Sequence, residues 1–597
     1  MSRQKGADRM KIKEMIQALQ LQKKGSGKNQ LMTVWGEHLN KDKVLEEYPR
    51  PQMVRNNYTI LNGMWKYAFT LNSKMPEHYD GEILVPFSPE TYLSGVNRQL
   101  QPKEFLWYER MILLNEIPKE NRLILHFGAC DERCRVYVNG AQAGFHSGGY
   151  QSFSLDITPY IVTGENRLQV CVRDRSDTSY HGRGKQKLEN GGMFYTAQSG
   201  IWQTVWYEWV PDIYVQRMHI TPRYDESSVE IELFTNEKTQ ECQPCRIVIY
   251  ENEVPVSELT VSGVRKVTMP IPNMHSWSPV DPFLYQVIIN YGEDQIAGYF
   301  GMRCFTVEKD VDNVPRLCLN HVPYFQNGIL DQGYYPESLL TPVSDEAMIQ
   351  DIMMAKKHGF NMIRKHCKIE PMRWYYHCDR LGMLVWQDMI NGGEEYRLLY
   401  TTYIPTVIKR LRKIKDNKYA LLSRRNPKGR REWKKECLET IEQLYNCTCI
   451  CTWVLFNEGW GQFDAAENTE MVRKVDNSRL IDAHSGWFDQ NAGDLKSVHI
   501  YFFDLVTEQS RKPYSISEYG GLACGIEGHS YSDDVFGYGT YSVHDLKKEY
   551  KKMQRKIQDL YPEGLSAAVY TQLTDIEEEV NGLLTYDRKV SKLDMRL

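Results

Sequence analysis

Glu458 and Glu518 are delivered by similar stretches of chain. Glu458 closes the run Trp453-Val-Leu-Phe-Asn-Glu458, followed by Gly459-Trp460-Gly461, and Glu518 closes Tyr514-Ser-Ile-Ser-Glu518, followed by Tyr519-Gly520-Gly521. Each run carries one carboxyl group to a glycine- and aromatic-rich turn. Hydrolysis of a glycosidic bond asks for two carboxyl groups flanking it. One protonates the leaving oxygen, and the other attacks the anomeric carbon or activates water there. Groups about 5–5.5 Å apart give retention and roughly 6.5–9.5 Å gives inversion, a distance that sequence spacing does not supply. A lone glutamate at a strand end is more often a rim ion pair than a catalyst. Two in matching settings are a stronger signal.

The elements that must position this pair follow a strand-then-helix grammar. Strands are predicted over 324–330, 360–366, 383–389, 451–458, 479–484, 497–502, 513–518 and 567–573, with helices over 345–358, capped by Ser344, and 370–381. Eight such βα-type units predict a (β/α)8 TIM barrel over 309–597, with its chemistry at the C-terminal ends of the strands. Glu458 then ends strand four and Glu518 strand seven, facing each other across the mouth. Upstream the text is all-β. Runs such as Arg122-Leu-Ile-Leu-His-Phe127 and Arg135-Val-Tyr-Val-Asn139, with turns like Asn139-Gly140, predict a jelly-roll β-sandwich over 49–210. Shorter alternating runs at 229–234, 245–250 and 284–290 predict an immunoglobulin-like β-sandwich over 211–308. Residues 1–48 are read as an N-terminal extension and lead-in, with a short amphipathic helix over 10–23.

Composition narrows the classes. A net charge of -4 gives no pull toward nucleic acid or an anionic membrane. No apolar run approaches the roughly 18 residues of a span, and the first thirty residues lack a secretory apolar core, so a cytoplasmic location is expected. The 38 Tyr and 13 Trp suit a sugar cleft and a sandwich core equally. Cys130 with Cys134, Cys242 with Cys245, and Cys447-Thr-Cys-Ile-Cys451 lack the paired spacing of a zinc site and read as packing residues, so no metal or cofactor is expected. The basic segment 409–435 reads as a solvated rim insertion in preference to a polyanion patch. Sandwich faces and that insertion leave room for a homo-oligomer.

Further motifs make the resemblance specific. Asn457-Glu458 and Ser517-Glu-Tyr-Gly520 resemble the acid/base and nucleophile signatures of glycoside hydrolase family 2, the β-galactosidase, β-glucuronidase and β-mannosidase group. Leu61-Asn-Gly-Met-Trp65, Val85-Pro-Phe87, Val138-Asn-Gly140, Ser199-Gly-Ile-Trp-Gln-Thr-Val-Trp206, Trp277-Ser-Pro279 and Phe300-Gly-Met-Arg303 resemble that family's sandwiches, in order. The resemblance implies an exo-acting, retaining β-glycosidase with Glu458 as acid/base and Glu518 as nucleophile, and Asn457 on the sugar 2-hydroxyl. Arg364 and His366 match the family's pair on strand two. Asp331, Trp487, His499 and Tyr501 fall at mouth positions and are expected to bind the carbohydrate, with Trp386 and Asp388 similarly placed. Tyr570 and Gln572 stand where many members carry Trp, and Asn446-Cys-Thr448 replaces the usual Asn-His-Pro. Chemistry asks that Glu518 stay ionised, helped by Arg364 and Tyr501, and that Glu458 hold a proton, helped by the charge of Glu518 and partial burial. No Asn-x-Lys follows Glu518, which points away from a uronic acid and toward a neutral sugar, galactose first. The alternatives are a non-catalytic carbohydrate-binding protein on the same scaffold, or a basic scaffold acting through 409–435.

Overall fold

The computed structural model describes residues 28–237, 243–408 and 412–595. The helix expected over 10–23 lies outside them. The first sandwich packs a four-stranded sheet, which includes Asn121–Phe127 and Val205–Pro211, on a six-stranded sheet centred on Phe105–Leu114 and Gly164–Arg173. Alternation supplies its core, because every second residue of a strand points to the same face. Leu123, Leu125 and Phe127 from one sheet meet Leu168, Val170 and Val172 from the other. Cys130 and Cys134 are buried in that core as small apolar groups. The second sandwich is smaller, a three-stranded sheet on a four-stranded one, closed around Val229, Ile231, Ile247, Ile249, Val287 and Ile289. It has the immunoglobulin-like form expected.

The barrel strands are Gln326–Asp331, Met362–Lys365, Leu384–Asp388, Ile450–Val454, Leu480–Asp482, Lys496–Ile500, Tyr514–Gly520 and Leu565–Thr571. They pair in parallel in the order 5-4-3-2-1-8-7-6, so the fifth and sixth are the two edges of a nearly closed barrel. Helices follow the first four strands and the seventh: Asp345–Lys357 with Ser344 as N-cap, Met372–Leu381, Pro427–Leu444, Ala465–Val475 and Val543–Leu560. Among the described residues no helix follows strands five, six or eight, a correction to the eight βα-type units. The segment 483–495 has positive φ at Gly486, Phe488, Asn491 and Gly493, which leaves no uninterrupted stretch long enough for a right-handed helix. Among the described residues no helix is long and apolar enough to cross a membrane.

A long connection of the first sandwich reaches onto the barrel mouth. Arg183 N and Gly184 N both donate to Asn391 O at 2.9 Å, and Gly182 bridges Gly392. Phe194 stacks on Trp460, two residues past Glu458, with ring centroids 5.5 Å apart.

Candidate active site

Inward-facing residues of the barrel alternate along each strand, and the alternation selects the groups that meet. Arg364 points inward and His366 follows it on the same face, as do Trp386 with Asp388 and His499 with Tyr501. Strand four ends at Val454, short of the predicted boundary. Glu458 N still donates to Ser485 O at 2.9 Å, but Glu458 itself has φ +51° and has left the extended conformation. Its carbonyl accepts from Trp487 Nε1 at 2.9 Å, so both main-chain polar groups of Glu458 are held. In strand seven the register against strand six slips between Ile516 and Glu518, so Ser517 is an extra residue. Such a bulge re-aims a side chain. Here it lets two consecutive residues turn inward: Ser517 Oγ reaches Ser497 Oγ at 2.6 Å and Ser485 Oγ at 3.0 Å, while Glu518 enters the mouth.

Glu458 and Glu518 are brought together around His499. His499 Nδ1 lies 2.9 Å from Glu458 Oε1 and its Nε2 lies 3.5 Å from Glu518 Oε1. One oxygen of each glutamate and a ring nitrogen all lie within 4.8 Å of one another. Arg364 is fully buried and serves three side chains and the Ser517 carbonyl. Its Nη1 donates to Glu518 Oε1 at 3.0 Å, its Nη2 to Asn457 Oδ1 at 2.8 Å, and its Nε and Nη2 grip the Asp388 carboxylate at 3.0 and 2.9 Å. His366 Nδ1 is 2.5 Å from the same carboxylate. Tyr501 OH donates to Glu518 Oε2, and the Tyr538 ring stacks on Tyr501 at 4.1 Å.

The electrostatics follow burial. Burial pushes the Glu458 carboxyl up to about 7, against the pull of Lys185, His366, Arg364 and Arg412. The expected contribution of the Glu518 charge is not among the leading causes. Desolvation is the dominant one, because a carboxyl removed from water resists ionisation. Burial also drives His499 down to about 3, so the ring between the two carboxyl groups is neutral. For Arg364 burial opposes the charge, but Asp388 and then Glu518 outweigh it and raise its pKa.

Other predicted residues lie elsewhere. Asp331 pairs in register with Lys365, not with Arg364, and so faces the outer helix layer, where its carboxylate takes Lys365 Nζ and Gly333 N. Trp386 packs deep in the barrel, its Nε1 donating to Gln326 Oε1 at 2.6 Å. Tyr570 also turns outward, edge-on to Tyr550 of the helix Val543–Leu560. Gln572 joins Gln332 and Asn581 in a separate polar network. Trp487 does line the mouth, its ring 5.4 Å from that of His499. Sequence reasoning missed Lys185 and Tyr538. Lys185 comes from the first sandwich, and its Nζ lies 5.9 Å from the Trp460 ring. The glycine-rich run His181-Gly-Arg-Gly184 in a connection without strand alternation was the available signal. The basic insertion is not wholly a rim feature. Arg412 Nη1 donates to His499 O at 3.3 Å, and the guanidinium lies over Trp487.

Comparison with known proteins places this geometry. Residues 88–211, 213–303 and 341–591 match, in order, the glycosyl hydrolases family 2 sugar binding domain, the glycosyl hydrolases family 2 domain and the family 2 TIM barrel domain. The chain belongs to glycoside hydrolase family 2. It is 24% identical over 585 residues to a β-galactosidase of Streptococcus thermophilus, covering 89% of this chain and 52% of that protein. It is 23% identical over 473 residues to a putative β-glucuronidase of Formosa agariphila, covering 70% and 50%. This family 2 chain thus spans about half the length of the curated relatives it matches. Among solved structures it resembles a β-D-glucuronidase of Dictyoglomus thermophilum, with a TM-score of 0.71 at 18% identity over 92% of this chain and 97% of that one. It also resembles a β-galacturonidase of Eisenbergiella tayi bound to galacturonate, with a TM-score of 0.68 at 19% identity over 92% and 97%.

Proposed function

We propose that this protein is a retaining, exo-acting β-glycosidase in which Glu458 is the acid/base and Glu518 the nucleophile. The observation that carries the reading is the approach of the two carboxyl groups within 4.8 Å, oxygen to oxygen, on opposite sides of one barrel mouth. That lies on the short, retaining side of the ranges for such pairs. Glu518, held by Arg364 and Tyr501, attacks the anomeric carbon and forms a glycosyl ester, while the Glu458 carboxyl proton passes to the departing glycosidic oxygen. Glu458, now a carboxylate, takes a proton from water, and that water's oxygen cleaves the ester. Neutral His499 adds no positive charge beside Glu458, which suits a group that must arrive protonated. Asn457 accepts from Arg364 through Oδ1, an orientation that frees Nδ2 to donate to the sugar 2-hydroxyl, a contact that strengthens in the transition state.

For the glycone a neutral β-linked sugar, galactose first, is the primary reading, in keeping with the β-galactosidases among the relatives. One observation favours a second. Lys185 forms no ion pair among the described residues yet acts electrostatically on Glu458, offering a cation to a sugar carboxylate. Hydrolysis of nitrophenyl β-galactoside, β-glucoside, β-mannoside, β-glucuronide and α-arabinoside by wild type and Glu518→Gln tests both. Turnover of one sugar, lost in the variant, identifies the glycone; no turnover of any moves the weight to a carbohydrate-binding protein. Release of the β-anomer as first product is the expected stereochemistry, and the α-anomer would overturn retention.

A further inference from the structure

Where the immunoglobulin-like sandwich meets the barrel's lead-in strands, three elements converge on side chains that take no part in the mouth. Asp225 lies in the single turn Tyr224–Glu226 between two sandwich strands. Cys304 precedes Phe305–Lys309, the first strand of a small antiparallel sheet. His321 lies in the two-residue turn between Pro315–Leu319 and Val322–Pro323 of that sheet. One ligand atom from each lies within 4.8 Å of the other two. His321 Nε2 is 2.6 Å from Asp225 Oδ1 and 3.5 Å from Cys304 Sγ, while Nδ1, on the other side of the ring, is 2.7 Å from Glu308 Oε1.

Two features set this cluster apart from a surface ion pair. Glu308 behind the ring is the carboxylate–histidine arrangement that orients a metal-binding imidazole, leaving the opposite nitrogen to face the ion. The turn also holds His321 where it is. Asn320 and His321 have φ of 53° and 65°, both left-handed, and the second such position of a tight hairpin is ordinarily glycine. Asn320 exchanges hydrogen bonds with Cys304, donating to Cys304 O and accepting from Cys304 N at 3.0 Å each, which ties the turn to the cysteine.

We propose that Asp225, Cys304 and His321 bind a divalent ion of the zinc class, with water completing the coordination, and so staple the sandwich to the barrel's lead-in. A thiolate, an imidazole and a carboxylate suit zinc, whereas magnesium and calcium take oxygen ligands. Bonds of about 2.0–2.3 Å set tetrahedral ligands roughly 3.3–3.8 Å apart. The Cys304–His321 separation already meets that spacing, and the Asp225 side chain, 76% exposed, need only swing outward. Binding releases the thiol proton of Cys304, and a second proton from Nε2 where the ring is charged.

The test is zinc chloride titration of the metal-free full chain, with bound ion counted, for wild type, Cys304→Ser and His321→Asn. Asparagine tolerates the left-handed turn, so the second variant keeps the hairpin. Wild type is expected to bind one equivalent more than either variant and alone to gain melting temperature. Cobalt(II) in place of zinc should give a thiolate charge-transfer band that Cys304→Ser lacks. Equal uptake by all three proteins would overturn the site, placing any ion elsewhere, such as on Glu458, His499 and Glu518. No uptake by wild type would also overturn it, leaving His321 as a hydrogen-bonded link between Asp225 and Glu308.

Discussion

Glu458 and Glu518 share one histidine but have different company. Glu518 is gripped by Arg364 and Tyr501, while Glu458 has the neutral His499 ring and little water. Burial raises Glu458 to about 7, so the proposed acid is present below that pH and lost above it. kcat/KM should therefore fall about tenfold per unit once pH exceeds 7, and a pH profile of Glu458→Ala should lack that limb. The same variant should slow unactivated glycosides by roughly 10²–10⁴ and activated aryl glycosides far less; equal losses would sink the acid/base role. Stability gives an independent reading. A carboxyl whose folded pKa is raised contributes stability fully below its unfolded value near 4.5 and loses it as pH rises through about 7. Glu458→Gln, neutral at all pH, should accordingly melt above wild type at pH 8 and close to it at pH 4.

The strand-seven bulge and the sandwich connection are the elements that shape the mouth. The bulge at Ser517 lets adjacent residues face inward, which simple alternation forbids. The sandwich connection depends on close backbone approach at Gly392, where a Cβ would meet His181 O at 2.2 Å and the Gly182 Cα at 2.7 Å. Both are main-chain atoms and have no rotamer to change. Gly392→Ala should cost about 1–3 kcal/mol in denaturant melts and raise KM, because the connection carrying Lys185 and Phe194 would lift from the barrel. An unchanged KM would mean the connection does not touch bound sugar.

Across the whole molecule, a buried carboxylate joins the two sandwiches. Glu208 of the first takes Arg50 at 2.7 Å and Arg55 at 3.2 Å, and Arg55 also holds Asp294 of the second at 2.7 Å. Burial opposes the Glu208 charge, but Arg50, His126 and Arg55 outweigh it and hold its pKa well below the usual range. That depressed group stabilises above its unfolded pKa and ceases to as pH falls through its folded value. Glu208→Ala should cost about 3–5 kcal/mol by leaving Arg50 without a carboxylate partner and Arg55 with Asp294 alone, read as a lower melting temperature at pH 7.

Periodicity along the chain was enough to read the eight barrel strands, the two sandwiches and the Ser344 cap, because each follows from local spacing and local hydrogen bonding. The carboxyl pair was legible too, since each glutamate ends a predicted strand at a glycine- and aromatic-rich turn. Partnership was not. Whether Asp331 faces the mouth or the helix layer rests on its register with Lys365, a relation between strands that neither stretch encodes alone. Lys185 lies more than two hundred residues from Glu458, and only the docking of the sandwich connection onto the barrel brings its charge to bear. The level of Glu458 was beyond local reading for the same reason: desolvation is a sum over every atom packed around a group, and those atoms come from all over the fold.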